Sequence, residues 1–140
     1  MASDPLAFGS SFPAVADPGR RLPYHPRLAA LRNRDASGVY VIFDARTREP
    51  LYVGESHSGR LYDTITRHFR AWSIDPDTDE QGRRRGGTTY HRQAVRVAVQ
   101  VTPADRAEDE QYAAIAWIDP SDNKITGETL IDEIADLPPF

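Results

Sequence analysis

A chain of 140 residues with 39% hydrophobic, 27% charged and 9% aromatic side chains has the composition of one globular domain with a core of its own. It has no cysteine, which excludes thiolate metal centres, a thiol nucleophile and a disulfide framework. The net charge of −4 divides unevenly: residues 1–55 carry +1, residues 56–100 carry +3 and residues 101–140 carry −8.

Residues 1–37 are rich in Pro, Gly and Arg, with one short helical candidate at 26–32. They read as a lead-in that either wraps the following domain, residues 38–140, or stays mobile. Gly38–Phe43 and Leu51–Val53 are β-branched and aromatic runs joined by the polar turn Asp44–Pro50, the pattern of an antiparallel hairpin. Gly54–Gly59 reads as a small polar loop. A helix is predicted over Arg60–Trp72, where Leu61, Ile65, Phe69 and Trp72 form one apolar stripe. At about 100° per residue His68 falls on the edge of that stripe, with Arg60 and Arg67 just outside it.

Ser73–Gln93 has no periodicity and reads as a long loop, a length usually associated with function or disorder. Its Asp75-Pro76-Asp77-Thr78-Asp79 run is not a calcium loop, because the sixth position is Glu80 and the twelfth Gly86. Ala94–Val101 alternates valines with other residues and predicts a third strand. Thr102 as N-cap, with Pro103 at the first position and Asp105 in the first turn, predicts a helix running to about Ile118. A further short helix is predicted over Thr129–Ala135.

No apolar run approaches the roughly 18–20 residues that span a bilayer. The start, Met1-Ala2-Ser3-Asp4-Pro5, lacks the basic-then-apolar order of a signal peptide. The expectation is a cytoplasmic protein with no membrane partner. Sixteen of the seventeen basic residues are arginine. Coding bias would explain this, and so would a need for guanidinium forks that bind phosphate bidentately. The loop Gly82-Arg83-Arg84-Arg85-Gly86-Gly87 fits a backbone-tracking segment, with Arg67 as a further nucleic-acid contact. It also fits a solvated loop neutralised by the nearby Asp75, Asp77, Asp79 and Glu80. The acidic last third offers a docking surface for a basic protein partner.

Gly38-Val39-Tyr40, followed by Tyr52-Val53-Gly54, resembles the paired tripeptides of the GIY-YIG nuclease superfamily. Arg60 and His68, then Glu110, then Pro120 and Asn123 continue the family's succession, so the resemblance covers about residues 38–123. It implies an α+β fold with a small three-stranded antiparallel sheet flanked by helices. It also implies a metal-dependent endonuclease that hydrolyses DNA phosphodiester bonds. By the same resemblance Tyr40 and Tyr52 line the site and Arg60 binds the scissile phosphate. His68 assists proton transfer or holds a tyrosine, Glu110 holds one Mg²⁺ or Mn²⁺ ion, and Asn123 supports the site's edge.

Two departures leave alternatives open. Arg60 and His68 stand eight residues apart rather than one helical turn, so Arg67 competes for the phosphate. Glu108 and Glu110 flank the inner face of the last helix equally, so periodicity does not choose the metal ligand. A nuclease of this kind requires Tyr40, Tyr52, Arg60 and Glu110 to converge on one concave surface. The rival reading is a GIY-YIG-like module that binds nucleic acid or a protein without cutting. The preferred DNA structure is not legible in the sequence.

Overall fold

The computed structural model describes residues 9–69 and 90–123. In chain order these form β1 (Phe12–Pro13), α1 (Pro26–Ala29), β2 (Ser37–Asp44), β3 (Pro50–Ser56), α2 (Leu61–Arg67), β4 (Val95–Thr102) and α3 (Ala104–Ile118). A single turn of 3₁₀ helix, Arg92–Ala94, leads into β4. The fold is α+β, with one antiparallel sheet in the order β1-β4-β2-β3.

The sheet therefore has four strands where three were expected. The extra one comes from the N-terminal segment: Phe12 and Pro13 pair with Val97 and Arg96 along the free edge of β4. Arginines fasten it there. Arg96 donates from Nε to Ser11 Oγ at 3.0 Å and from a terminal nitrogen to the Ser11 carbonyl at 2.7 Å. Arg27 donates to the Ser10 carbonyl and lies 4.8 Å from the centre of the Phe12 ring. Covering an open strand edge satisfies backbone groups that would otherwise invite pairing with another chain.

Strand β2 is central and buried on both sides, which is why its run of Val, Tyr, Ile and Phe lacks a polar alternation. Tyr40 and Ile42 face one layer with Phe12, Leu28, Leu61, Ile65, Phe69 and Val97. Val39 and Val41 face the other, where Val53, Ala114 and Ile115 complete a smaller cluster under α3. Helices α1 and α2 thus cover one face of the sheet and α3 the opposite face. Each fully buried Val, Leu, Ile or Phe contributes roughly 1.5–3 kcal/mol by leaving water.

Three predicted boundaries shift, each for a local reason. Gly54, Glu55 and Ser56, expected in a loop, extend β3 because they pair with Tyr40, Val39 and Gly38. The helix from Leu61 ends at Arg67, and the His68 carbonyl accepts instead from the Tyr90 N–H at 2.7 Å. In α3 the N-cap is Pro103, not Thr102, whose hydroxyl donates to the Pro103 carbonyl. The remainder of the predicted helix to Trp72, most of the long loop, Arg83, Arg84, Arg85 and the Thr129–Ala135 helix lie outside the described residues.

Both glycines of the paired tripeptides have steric reasons. A Cβ on Gly38 would run into the Gln100 carbonyl of β4, and one on Gly54 would overlap the Tyr40 hydroxyl and its ring carbon. Gly54→Ala is expected to lower the unfolding free energy by about 1–3 kcal/mol, the usual cost of overpacking. Urea denaturation of the variant beside the native chain measures it.

Candidate active site

The β2–β3 hairpin sets its two tyrosines by register. Tyr40 is opposite Gly54, and Tyr52 is opposite Ile42. The tyrosines are therefore diagonal neighbours on one face, with ring centres 6.1 Å apart. Because Gly54 carries no side chain, the Tyr40 ring can lie across it and point its hydroxyl out of the hairpin. The hydroxyl meets His68 Nε2 at 2.6 Å. Tyr52 approaches the same imidazole, with ring centres 4.7 Å apart.

Burial dictates the protonation of Tyr40. Tyr40 is almost wholly buried, and burial pushes its hydroxyl well above the ordinary value of 10.0, with Tyr52 and Glu55 adding to the rise. Arg67 acts in the opposite direction. Tyr40 therefore stays a phenol at neutral pH, and its hydroxyl shares a short hydrogen bond with His68 Nε2. His68 is thus tied to Tyr40, and Tyr52 beside it is half-buried.

Two further residues belong to the cluster. Buried Tyr90 lies 6.2 Å from His68 between ring centres and donates its hydroxyl to Asp122 Oδ2 at 2.8 Å. The Asp122 N–H in turn donates to the Leu51 carbonyl at 2.7 Å. Sequence reasoning passed over both. Tyr90 closes a segment without periodicity, and Asp122 sits in a Pro-Ser-Asp-Asn stretch that reads as a turn.

Asn123 supports the β3 edge. Its carbonyl oxygen accepts from the Val53 N–H and its amide donates to the Val53 carbonyl, both at 2.8 Å. One side chain thus copies the pairing of a neighbouring strand and holds the backbone between Tyr52 and Gly54. Gln111 of α3 adds a longer bond, 3.4 Å, to the same carbonyl.

The structure does not gather the whole predicted set. Arg60 is exposed at the N-cap of α2, and its N–H donates to Ser56 Oγ at 3.2 Å. Arg67, also exposed, is the helix arginine whose charge acts on Tyr40. Glu110 is half-buried on α3, the helix packed on the valine face, across the sheet from the tyrosines. Glu108 is exposed on that helix and accepts from the Tyr112 hydroxyl at 3.4 Å. Among the described residues no three or more His, Asp or Glu side chains group into a metal site. A single oxygen donor such as Glu110 suits only an ion that keeps most of its waters, as Mg²⁺ does.

No family model, curated protein or solved structure matches the chain. Among the described residues no helix is long and apolar enough to cross a membrane.

Burial of the Tyr40 phenol makes stability depend on pH. The unfolded chain ionises this phenol near 10, before the folded chain does, so its contribution is fully present below pH 10 and lost as pH rises beyond it. Unfolding midpoints measured through this range should fall for the native chain and fall less steeply for Tyr40→Phe. Asn123→Ala is expected to cost about 1–2 kcal/mol by removing both edge bonds. The same denaturation measurement reads it.

Proposed function

We propose that the chain is a metal-dependent endonuclease of the GIY-YIG type that hydrolyses phosphodiester bonds in DNA. The observation that carries this reading is the interlock of the two tripeptides. Tyr40 of the first needs Gly54 of the second, and together they bring Tyr52 against His68. Two separated motifs that explain each other sterically are a stronger argument than two short matches.

In this reading each group has a limited task. Phosphodiester cleavage needs a deprotonated water and stabilisation of charge developing on phosphate. Tyr52 orients the attacking water at the mouth of the cluster. His68, its Nε2 taken by Tyr40, holds the aromatic surface in place. Arg67 or Arg60 supplies the cation for the phosphate oxygens. Glu110 would hold the divalent ion, which when bound supplies Lewis-acid stabilisation of the phosphate charge.

The place of α3 counts against the nuclease, which requires Tyr52 and Glu110 on one surface, and favours a second reading. With Glu110 on a helix across the sheet from Tyr52, the same aromatic cluster suits a module that binds nucleic acid without cutting it.

Cleavage of supercoiled plasmid and of a labelled single-stranded oligonucleotide, with Mg²⁺, Mn²⁺ or EDTA, separates the two. The endonuclease reading expects cutting that EDTA abolishes and that Tyr52→Phe and Glu110→Ala each reduce by roughly 10²-fold or more. Binding without cutting, by folded protein, establishes the second reading. Cutting that survives both substitutions overturns the assignment of the site.

A further inference from the structure

Behind the tyrosine cluster, on the other flank of α2, lies a groove of about 980 Å³. Its walls include Leu22, Tyr24, Arg32, Asn33, Tyr62 and Arg92. It combines two features rarely needed together for packing alone. One is a set of apolar and aromatic surfaces: Leu22 is 55% exposed, and half-buried Tyr62 meets Tyr24 edge to face at 6.1 Å. The other is a pair of guanidinium groups.

Arg92 is held rigidly. It donates to the Phe69 carbonyl at 2.8 Å and its guanidinium lies 5.3 Å from the centre of the Tyr24 ring. Its Nε is nevertheless buried with no hydrogen-bond partner among the described residues. Arg32 is exposed and makes no side-chain hydrogen bond or ion pair among the described residues. Asp63 also lines the groove, but two arginines against one aspartate leave it net positive.

We propose that this groove is a binding site for nucleic acid with unpaired bases, distinct from the tyrosine cluster. A base stacks on the Tyr62 and Leu22 surfaces, and a flanking phosphate meets Arg32, with the fixed Arg92 adding to the positive field. Asn33 supplies both a donor and an acceptor for a base edge. The bases are unpaired because a duplex hides its base faces, whereas a single strand offers them to aromatic side chains. A guanidinium beside a stacking surface is the usual construction of such a channel. The site does not depend on catalysis, so it stands or falls apart from the endonuclease reading.

Fluorescence anisotropy of a labelled short oligothymidylate in EDTA tests it without cleavage. Native protein should bind the single strand more tightly than a labelled duplex. Tyr62→Ala should weaken binding by roughly tenfold while Tyr62→Phe leaves it unchanged. Arg32→Glu should weaken it too and flatten its salt dependence by about 0.7 in log–log slope for each phosphate no longer neutralised. Arg32 is exposed, so its replacement leaves the core intact and decides the matter if Tyr62→Ala fails to fold. Unchanged binding in folded Arg32→Glu, no binding by the native chain, or equal preference for duplex each overturns the proposal. A native chain that cuts plasmid but does not bind oligothymidylate would remove this site alone. One that binds oligothymidylate but does not cut would remove only the nuclease.

Discussion

The space above Gly54 is the constraint on which the rest of the site depends. The Tyr40 ring lies over Gly54, the β3 residue opposite it, and a side chain there would overlap the ring. This fixes the hairpin register, because a slip of one residue would set Val53 or Glu55 against the ring. It also sends the hydroxyl outward to His68, which ties the end of α2 to the sheet. Helix, hairpin and the aromatic surface between them are thereby one packing unit.

A second consequence follows from burying β2 on both sides. A central strand with no solvent face forces polar chemistry to the margins of the sheet, where β3 is the outer strand. There Asn123 replaces a missing neighbour strand, and Asp122 anchors Tyr90. The segment after α3 thus closes the sheet edge and backs the candidate site at once. The N-terminal segment does the same for the other edge through β1.

The arginines divide by task. Arg27, Arg92 and Arg96 direct their donors to backbone carbonyls of the protein itself and cover aromatic rings or clamp β1. A guanidinium fork suits this because it satisfies several acceptors from one rigid plane. Arg32, Arg60 and Arg67 remain exposed. Arginine richness is therefore partly structural, and the local positive field along the middle of the chain overstates the number of groups available to phosphate.

The sequence by itself determined the α+β class, the hairpin, the third strand's alternating valines and the long helix α3, because period and turn residues are local properties. It also singled out Tyr40, Tyr52, Gly54 and His68, since their spacing is visible along the chain. What only the tertiary structure decided rests on contacts between distant residues. The fourth strand needed the free edge of β4, which the Pro-rich segment around Phe12 does not reveal. The end of α2 depended on the Tyr90 N–H capturing the His68 carbonyl, and the place of Glu110 on which face α3 covers. Periodicity tells a helix which side to bury, but only the assembled sheet decides which of its two faces receives it.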